Sequence, residues 1–328
     1  MDISSITNNL KAIVILAGKN QLGLSAFIMN KKTIPYVLCF LLLAATMLAS
    51  CINEKKGSGE EAVVSDSISI GDMFTFYELP YAYDHSIIYN KKDRKWHLYG
   101  IEAGNKTFIH LTADSLTQRE WEKREPFSYK GLEIWAPHII EHQDLYYMYY
   151  TCIGVPREIR LAVSEDLNSW SYPSEDPIFA LMNEHTDNMK NKDPMVFKHQ
   201  DKWVMYYSMM KDDKHWVVGY STSTDLLNWS EPGICFDEHT EEPGVESPFV
   251  VKRGKYFYLF LSARPWPHGA EEIFRSEDPF LWESKDLVKS INPWHAAELV
   301  QDLDGKWYIT RSSGKQSDFR MAPLYWND

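Results

Sequence analysis

The stretch Gly244–Ala263 reads GVESPFVVKRGKYFYLFLSA and contains a carboxylate at Glu246, a short apolar strand, a basic turn and an aromatic strand. Short apolar or aromatic runs bounded by charged turns are typical of β-strands. The same two-strand unit recurs as YDHSIIYNKKDRKWHLYG from Tyr83, WAPHIIEHQDLYYMYYT from Trp135, NKDPMVFKHQDKWVMYYSM from Asn191 and WHAAELVQDLDGKWYITRS from Trp294. Five copies of one two-strand element therefore organise the chain.

Each of the first four units is followed by a third strand and then by an aspartate and a tryptophan, at Trp121, Trp170, Trp229 and Trp282. A period of about 50 residues with about four strands per unit is typical of a β-propeller. We expect each tryptophan to pack between neighbouring blades and each aspartate to cap the turn before the outer strand. The sequence predicts an all-β fold, a five-bladed β-propeller that forms a single domain over residues 72–328.

The fifth unit ends at MAPLYWND without its own outer strand. A propeller must close its ring or leave a sheet edge exposed. We therefore expect the segment near 74–79, FTFYEL, to supply the missing strand to the last blade.

The N-terminal region has the pattern of a processing segment. Lys31 and Lys32 precede an apolar run that ends in Leu-Ala-Ser-Cys at Cys51, and the run is too short to predict a membrane span. This ending resembles a bacterial lipobox, with an ordinary secretory signal or a short membrane anchor as alternatives. We expect a signal region over 1–51 with Cys51 as lipid anchor, and a flexible linker over 52–71. The protein would then be an exported bacterial lipoprotein of the periplasm, outer membrane or cell surface.

Charge and cysteine content restrict the partners. The net charge of −12 excludes nucleic acid or an anionic membrane surface as the main partner, because both require a basic face. Cys152 and Cys235 lie in apolar strand-like surroundings, so we expect free buried thiols. No cysteine and histidine spacing typical of a structural zinc site is present in the sequence.

The first strand of each propeller blade lines the central channel, so the residues that open the five units are expected to converge. They are Asp84, Ala136, Asp193, Glu246 and His295. Three carboxylates at one channel mouth repel each other and are partly desolvated, which separates their pKa values as acid and base catalysis requires. Each carboxylate alone is better explained as a turn residue, because Asp-Pro and Glu-x-Pro sequences commonly start turns. The prediction of a catalytic site therefore depends on their convergence at equivalent blade positions.

The ordered motifs YDHSIIY, WAP, KDP and ESP, with WHAAELVQDLDGKWY in the last blade, resemble the five-bladed glycoside hydrolases of family 43 over about residues 80–328. The resemblance implies that Asp84 is the general base that activates water and Glu246 is the general acid. It implies that Asp193 orients the acid and adjusts its pKa. It places His295 near the channel axis, beside a structural Ca²⁺ or water in some members, with no cofactor required.

Two departures from the family pattern are Ser247 after the acid and His138 after the WAP motif. The related retaining family 32 shares the order of acidic residues, but its Asn-Asp-Pro-Asn, Arg-Asp-Pro and Glu-Cys motifs are absent. We therefore expect inversion, with acid and base about 6.5–9.5 Å apart, over a family 32-like fructosidase with Asp84 as nucleophile, where they lie about 5–5.5 Å apart.

Trp135, Trp266 and Trp294 are candidate platforms for sugar rings, with packing between blades as the alternative. Arg264 is a candidate for binding a substrate hydroxyl or carboxylate, or for an ion pair with Glu246 or Asp193. Together these features predict a glycoside hydrolase that cleaves arabinosyl, xylosyl or related linkages of an oligo- or polysaccharide. A non-catalytic glycan-binding propeller and a purely structural or protein-binding propeller are the alternatives, and the carboxylate trio argues against both.

Overall fold

The computed structural model describes residues 68–78, 84–154, 157–178, 191–211, 215–237, 244–263, 269–292, 294–311 and 318–327. In this part of the chain the regular structure is twenty β-strands and one short 3-10 helix, Ser284–Asp286. The strands form five antiparallel sheets. None of the described residues form a helix with the length and hydrophobicity that a membrane span requires. The predicted all-β, five-bladed propeller is confirmed.

The chain enters the fold through two strands that belong to the last sheet, β1 (Ile68–Ile70) and β2 (Phe74–Glu78). Blade one follows, with β3 (His85–Asn90), β4 (Lys95–Ile101), β5 (Thr107–Ala113) and β6 (Glu122–Ser128). Blade two has three strands, β7 (Glu133–His142), β8 (Leu145–Ile153) and β9 (Glu158–Ser164). A fourth strand is reduced in blade two to one bridge between Val163 and Ser171.

Blades three and four each have four strands in sequential order. Blade three contains β10 (Asn191–His199), β11 (Lys202–Met210), β12 (Trp216–Ser223) and β13 (Gly233–Phe236). Blade four contains β14 (Val245–Arg253), β15 (Tyr256–Ala263), β16 (Glu271–Ser276) and β17 (Leu287–Ile291). Blade five is built from β18 (Glu298–Gln301), β19 (Trp307–Arg311) and β20 (Asp318–Trp326).

The N-terminal strands close the ring. β2 runs antiparallel to β20 with Phe74 opposite Met321, so the predicted closure by the segment near residue 74 is confirmed. β1 pairs with the same strand, with Ile68 opposite Trp326. Residues 68–70 fall in the segment expected to be linker, and the structure corrects that boundary. Because Ile68 is apolar and 1% exposed in the core, burial draws this stretch into the sheet. The expected signal region and Cys51 lie outside the described residues.

A tyrosine from one blade and the recurring tryptophan of the next form each seam between blades one to four. Tyr99 of blade one meets Trp170 edge to face at 5.6 Å between ring centres, and its hydroxyl donates to the Leu167 carbonyl over 2.5 Å. The same pairing joins Tyr149 to Trp229 and Tyr206 to Trp282. These aromatic pairs combine apolar burial with a satisfied hydroxyl. The predicted packing of the tryptophans between blades is confirmed.

Three of the four recurring aspartates, Asp166, Asp225 and Asp278, cap the turns before these tryptophans, as predicted, whereas Asp114 accepts a hydrogen bond from Lys95 instead. Asp166 Oδ1 accepts the backbone N–H groups of Asn168 and Ser169, each over 2.9 Å. Asp225 binds Leu227 and Asn228 in the same way, at 2.9 and 2.8 Å. Hydrogen bonds from Asn228 and Leu227 hold the pKa of the Asp225 carboxyl well below its usual range.

Candidate active site

One cavity of about 590 Å³ collects all three predicted carboxylates. Its lining also includes two of the expected substrate-binding residues, Trp135 and His295, and one cation, Lys192. The remaining lining residues are Ile101, Ala103, Gly104, Asn105 and Ser247. Arg264 and Trp266, the other expected substrate contacts, lie outside the described residues. The structure therefore brings together Asp84, Asp193, Glu246, Trp135 and His295.

A β-bulge shapes the first strand of blades two, three and four. The bulges lie between Trp135 and His138, between Lys192 and Met195, and between Glu246 and Phe249. One residue in each has a positive φ, and blade five shares the feature: Ala136 at 46°, Asp193 at 58°, Ser247 at 53° and Ala296 at 50°. A positive φ is costly for residues with a Cβ and is found in turns and at functional sites. These four residues lie in or next to inner strands, whereas the other non-glycine examples lie in turns and loops. The repeated bulge therefore marks this end of the strands as a site.

The bulge register corrects the expected alignment of the strand-opening residues by one position. Glu246 corresponds to Lys192 and Trp135, whereas Asp193 corresponds to Ser247 and Ala136. Side chains of adjacent residues in a regular strand point to opposite faces. A bulge re-aims one of them, so both Lys192 and Asp193 line the cavity.

Asp84 directly precedes β3, and its carbonyl accepts the backbone N–H of Ile101 over 3.1 Å. Its Oδ1 atom is buried and has no hydrogen-bond partner among the described residues. Burial and then repulsion by Asp193 raise the pKa of Asp84 to about 8, with a smaller opposing effect of Lys192. A carboxyl group with this pKa takes up and releases a proton near neutral pH.

Asp193 connects three blades and is 5% exposed. Its Oδ2 atom accepts the Ser208 hydroxyl and the Ser247 backbone N–H, both over 3.1 Å. Its own N–H donates to Thr151 Oγ1 over 3.1 Å. Thr151 lies in blade two, Ser208 in blade three and Ser247 in blade four, so this carboxylate fixes the relative position of neighbouring strands.

Lys192 joins two of the predicted catalytic carboxylates. Its Nζ atom donates to Glu246 Oε2 and lies 3.0 Å from Asp193 Oδ2, while its side chain is 11% exposed. Burial alone would lower the pKa of Lys192, but the charges of Asp193 and Glu246 outweigh it and raise that pKa. Lys192 is therefore a charged ammonium. Its place beside Asp193 in the KDP motif was the available sequence signal for this residue, which sequence reasoning missed.

His295 lies between Asp84 and Glu246. Its Nε2 atom is 3.9 Å from Asp84 Oδ1, and its Nδ1 atom is 3.7 Å from Glu246 Oε1. Burial lowers the pKa of His295, which favours the neutral imidazole. No group of three or more histidine, cysteine, aspartate or glutamate side chains in the described ranges is arranged to hold a metal ion.

Two further carboxyl groups, missed by sequence reasoning, lie close enough to Asp84 for their charges to interact, the buried Glu271 and the half-buried Glu298. Burial raises the pKa of Glu271 to about 8 and raises that of Glu298 as well. The Ser262 hydroxyl donates to Glu271 Oε2 over 3.0 Å and accepts the Ala296 N–H over 2.8 Å. This chain of bonds fixes the backbone next to His295.

Neighbouring polar groups fix the edge of the Trp135 indole, and a guanidinium covers one of its faces. Its Nε1–H donates to Glu133 Oε1 over 2.9 Å, and Asn105 donates to the same oxygen over 3.2 Å. The Arg157 guanidinium lies 5.0 Å from the centre of the indole ring. A sugar can therefore stack only on the opposite face. Trp294, the other described candidate platform, is instead buried in the core and donates to the Thr310 carbonyl.

His138, Cys152 and Cys235 are buried side chains outside the cavity lining. His138 is buried, and its Nε2 atom lies 3.1 Å from the Val196 carbonyl oxygen, away from the cavity lining. Cys152 and Cys235 are buried free thiols, as predicted.

The fold and the cavity define a five-bladed propeller with converging carboxylates at the start of its inner strands. The chain belongs to glycosyl hydrolase family 43, whose model matches residues 83–316. The resemblance seen in the sequence is confirmed.

One curated relative is the extracellular exo-alpha-(1->5)-L-arabinofuranosidase ArbA of Cellvibrio japonicus (strain Ueda107). It is 26% identical over 208 residues, which cover 54% of this chain and 58% of the relative. The chain therefore spans little more than half the length of that protein.

Two solved structures illustrate the range of the fold. The endo-arabinase from Bacteroides thetaiotaomicron VPI-5482 has a TM-score of 0.63 at 15% identity, covering 79% of this chain and 99% of that chain. A family 32 beta-fructofuranosidase of Bombyx mori has a TM-score of 0.59 at 14% identity, covering 75% and 61%. At these identities the likeness shows the fold alone.

Proposed function

We propose that this protein is a glycoside hydrolase that cleaves arabinosyl or xylosyl linkages by inversion. The observation that carries the proposal is the placement of Asp84 and Glu246 on opposite sides of the His295 ring in one cavity. Paired carboxyl groups across a sugar-sized cavity are the arrangement that glycoside hydrolysis requires. Family membership supports the same reaction.

In the proposed reaction Asp84 accepts a proton from a water molecule as the water oxygen bonds to the anomeric carbon. Glu246 donates its proton to the glycosidic oxygen as the bond from that oxygen to the anomeric carbon breaks. The products are a free sugar of inverted configuration and an alcohol. Asp84 then holds a proton and Glu246 is ionised, and exchange with solvent restores both groups.

Asp193 acts in this proposal by positioning. It binds the Ser247 N–H next to Glu246 and accepts the Ser208 hydroxyl. It also faces the Lys192 ammonium, and its negative charge raises the pKa of Asp84.

We prefer inversion to retention because the family 32 motifs are absent from the sequence. The quantity that separates the two mechanisms is the distance between the Asp84 and Glu246 carboxyl groups. Inversion needs about 6.5–9.5 Å between them to admit water, whereas retention by an Asp84 nucleophile needs about 5–5.5 Å.

The arabinosyl preference is supported by the relative whose name specifies an arabinofuranosidase. The cavity volume of about 590 Å³ lies in the range of small-ligand pockets and suits a short segment of a glycan. The reaction as proposed needs no cofactor, and a structural Ca²⁺ beside His295 stays a prediction. We also propose export and lipid anchoring through Cys51, on the strength of the N-terminal sequence.

A second candidate function is glycan binding without cleavage. The ion pair between Lys192 and Glu246 favours it, because an ionised Glu246 has no proton to donate. Binding of arabino- or xylo-oligosaccharides with no sugar released between about pH 4 and pH 8 would support this alternative.

The test of the first proposal uses aryl arabinofuranosides and xylosides together with arabinan and xylan. We expect wild-type protein to release sugar, and Glu246→Gln to lose activity on polysaccharide while retaining more activity on glycosides whose leaving group needs no proton. The control is Glu141→Gln, a change at a carboxylate paired with Lys91 outside the cavity. Equal losses of activity on both kinds of substrate would show that Glu246 is not the general acid.

A further inference from the structure

Lys192 occupies the same bulge position as Glu246 and Trp135, but it is the only one of the three that carries a positive charge. Its ammonium contacts Glu246 and Asp193 and lies 5.3 Å from the centre of the Trp216 ring. The Lys192 ammonium is therefore surrounded by three neighbouring side chains, two carboxylates and one indole ring. A flexible lysine rarely keeps one position without such contacts, because ordering its side chain costs entropy.

The charged groups around this cation are mostly acidic. Among the described residues, those whose charges act on Lys192, Glu246 or Asp84 include Asp84, Asp193, Glu246, His295, Glu271 and Glu298. Arg157 adds a second positive charge that interacts with Asp193. Among these groups, Lys192 alone contacts Glu246 through an ammonium.

A buried ammonium stabilises the ionised form of each nearby carboxyl group. Lys192 accordingly lowers the pKa of Asp84, against the effects of burial and Asp193. Its direct bond to Glu246 acts in the same direction on that residue. Without Lys192 both catalytic carboxyl groups would hold their protons to higher pH.

We propose that Lys192 is a positioning residue that orients the Glu246 carboxyl group and lowers the pH at which both catalytic carboxyl groups lose their protons. This inference depends on the proposed hydrolase function. Lys192 does not touch the reacting atoms in this scheme, and it acts through the two carboxyl groups that do.

The test is the pH dependence of kcat/KM for wild type, Lys192→Met and Lys192→Arg on an aryl arabinofuranoside or xyloside. Lys192→Met should move both limbs of the profile to higher pH by about one unit or more, the size of effect a neighbouring opposite charge produces. Lys192→Arg keeps the charge and should keep both limbs near their wild-type positions. Lys198→Met is the matched control on the same strand, because Lys198 bonds the Asp201 carbonyl outside the cavity.

A second measurement does not need activity. In protein labelled with ¹³C at the glutamate side-chain carboxyl, the signal of Glu246 is assigned by its loss in Glu246→Gln and followed against pH. We expect the Glu246 pKa to rise by about one unit or more in Lys192→Met. An unchanged Glu246 titration, or a uniform loss of activity with both limbs unmoved in folded Lys192→Met, would overturn the inference. Wild-type protein inactive on every glycoside would instead refute the hydrolase proposal, while the titration would still decide the role of Lys192.

Discussion

The backbone N–H of Ser247 donates to Asp193 Oδ2 over 3.1 Å, so the residue after the proposed acid is bound to a carboxylate of the preceding blade. Lys192 adds a second connection by contacting Asp193 and Glu246. Asp193 is therefore linked to Glu246 in two ways, through the backbone of Ser247 and through the Lys192 ammonium.

Asp193→Ala removes the acceptor for Ser247 and the partner of Lys192. We expect kcat/KM to fall by about 100-fold or more, the range typical of disturbed acid catalysis. Asp193→Asn keeps an oxygen that can accept the Ser247 N–H but loses the charge, so it should lose less. The measurement is kcat/KM for both variants, with thermal melting to confirm folding. An alanine variant as active as the asparagine variant would show that the Ser247 contact has no role in positioning.

Asp84→Asn should abolish turnover and stabilise the protein. The folded pKa of about 8 lies above the ordinary value of 3.8, so the folded state binds more protons than the unfolded state between these pH values. Stability due to this group is therefore present at low pH and is lost as pH rises through the folded pKa. We expect Asp84→Asn to raise Tm by at least about 2 °C at pH 8 and less at pH 4. Asp201→Asn, at an exposed turn, is the control. A lower Tm for Asp84→Asn than for wild type at pH 8 would show that burying the ionised Asp84 carboxylate does not destabilise the fold.

His138 should make the fold sensitive to acid. Burial lowers the pKa of His138 from 6.5 to about 4. Between these two pH values the unfolded chain binds a proton at His138 that the folded state does not bind. Stability is full above about pH 6.5 and is lost as pH falls to about 4, by about 3 kcal/mol for this residue. Gln in place of His138 can still donate to the Val196 carbonyl and does not titrate. Urea unfolding at pH 7.5 and pH 5 should show a smaller loss for His138→Gln than for wild type, and equal losses would refute the account.

Trp135→Ala should weaken substrate binding more than it slows chemistry. The exposed face of the indole is the one available to a sugar, because Arg157 covers the other. We expect KM to rise by about tenfold with a smaller change in kcat, because the variant loses about 1–1.5 kcal/mol of stacking energy with the sugar. Trp135→Phe should restore part of the affinity. A fall in kcat with KM unchanged would place Trp135 outside the binding surface.

The architecture could be predicted from the sequence because its signals repeat. The tryptophan and aspartate after each third strand defined the blade period, and the seam of Tyr99 with Trp170 shows why that tryptophan recurs. Closure by Phe74–Glu78 followed from the missing outer strand of the last unit. The pairing of Ile68–Ile70 with the last sheet could not be predicted, because a three-residue strand has no periodic pattern in the sequence.

The site could be predicted only in part. Asp84, Asp193 and Glu246 stand at strand starts, where propeller topology brings residues together. Lys192 was missed, because in a regular strand its side chain would point away from that of Asp193, and the bulge that overrides this rule depends on tertiary contacts. Glu271 stands among polar residues that look solvent-exposed in the sequence, yet it is completely buried.

The central claim is that Asp84 and Glu246 act together as base and acid in an inverting hydrolysis. The most direct test follows the first-formed sugar by ¹H NMR at early times, before mutarotation, during digestion of an arabino-oligosaccharide by wild-type protein, Asp84→Asn and Glu246→Gln. We predict that wild type releases the sugar with inverted anomeric configuration and that neither variant releases it at a comparable rate. Release of the retained anomer, or near wild-type activity in either variant, would contradict the claim.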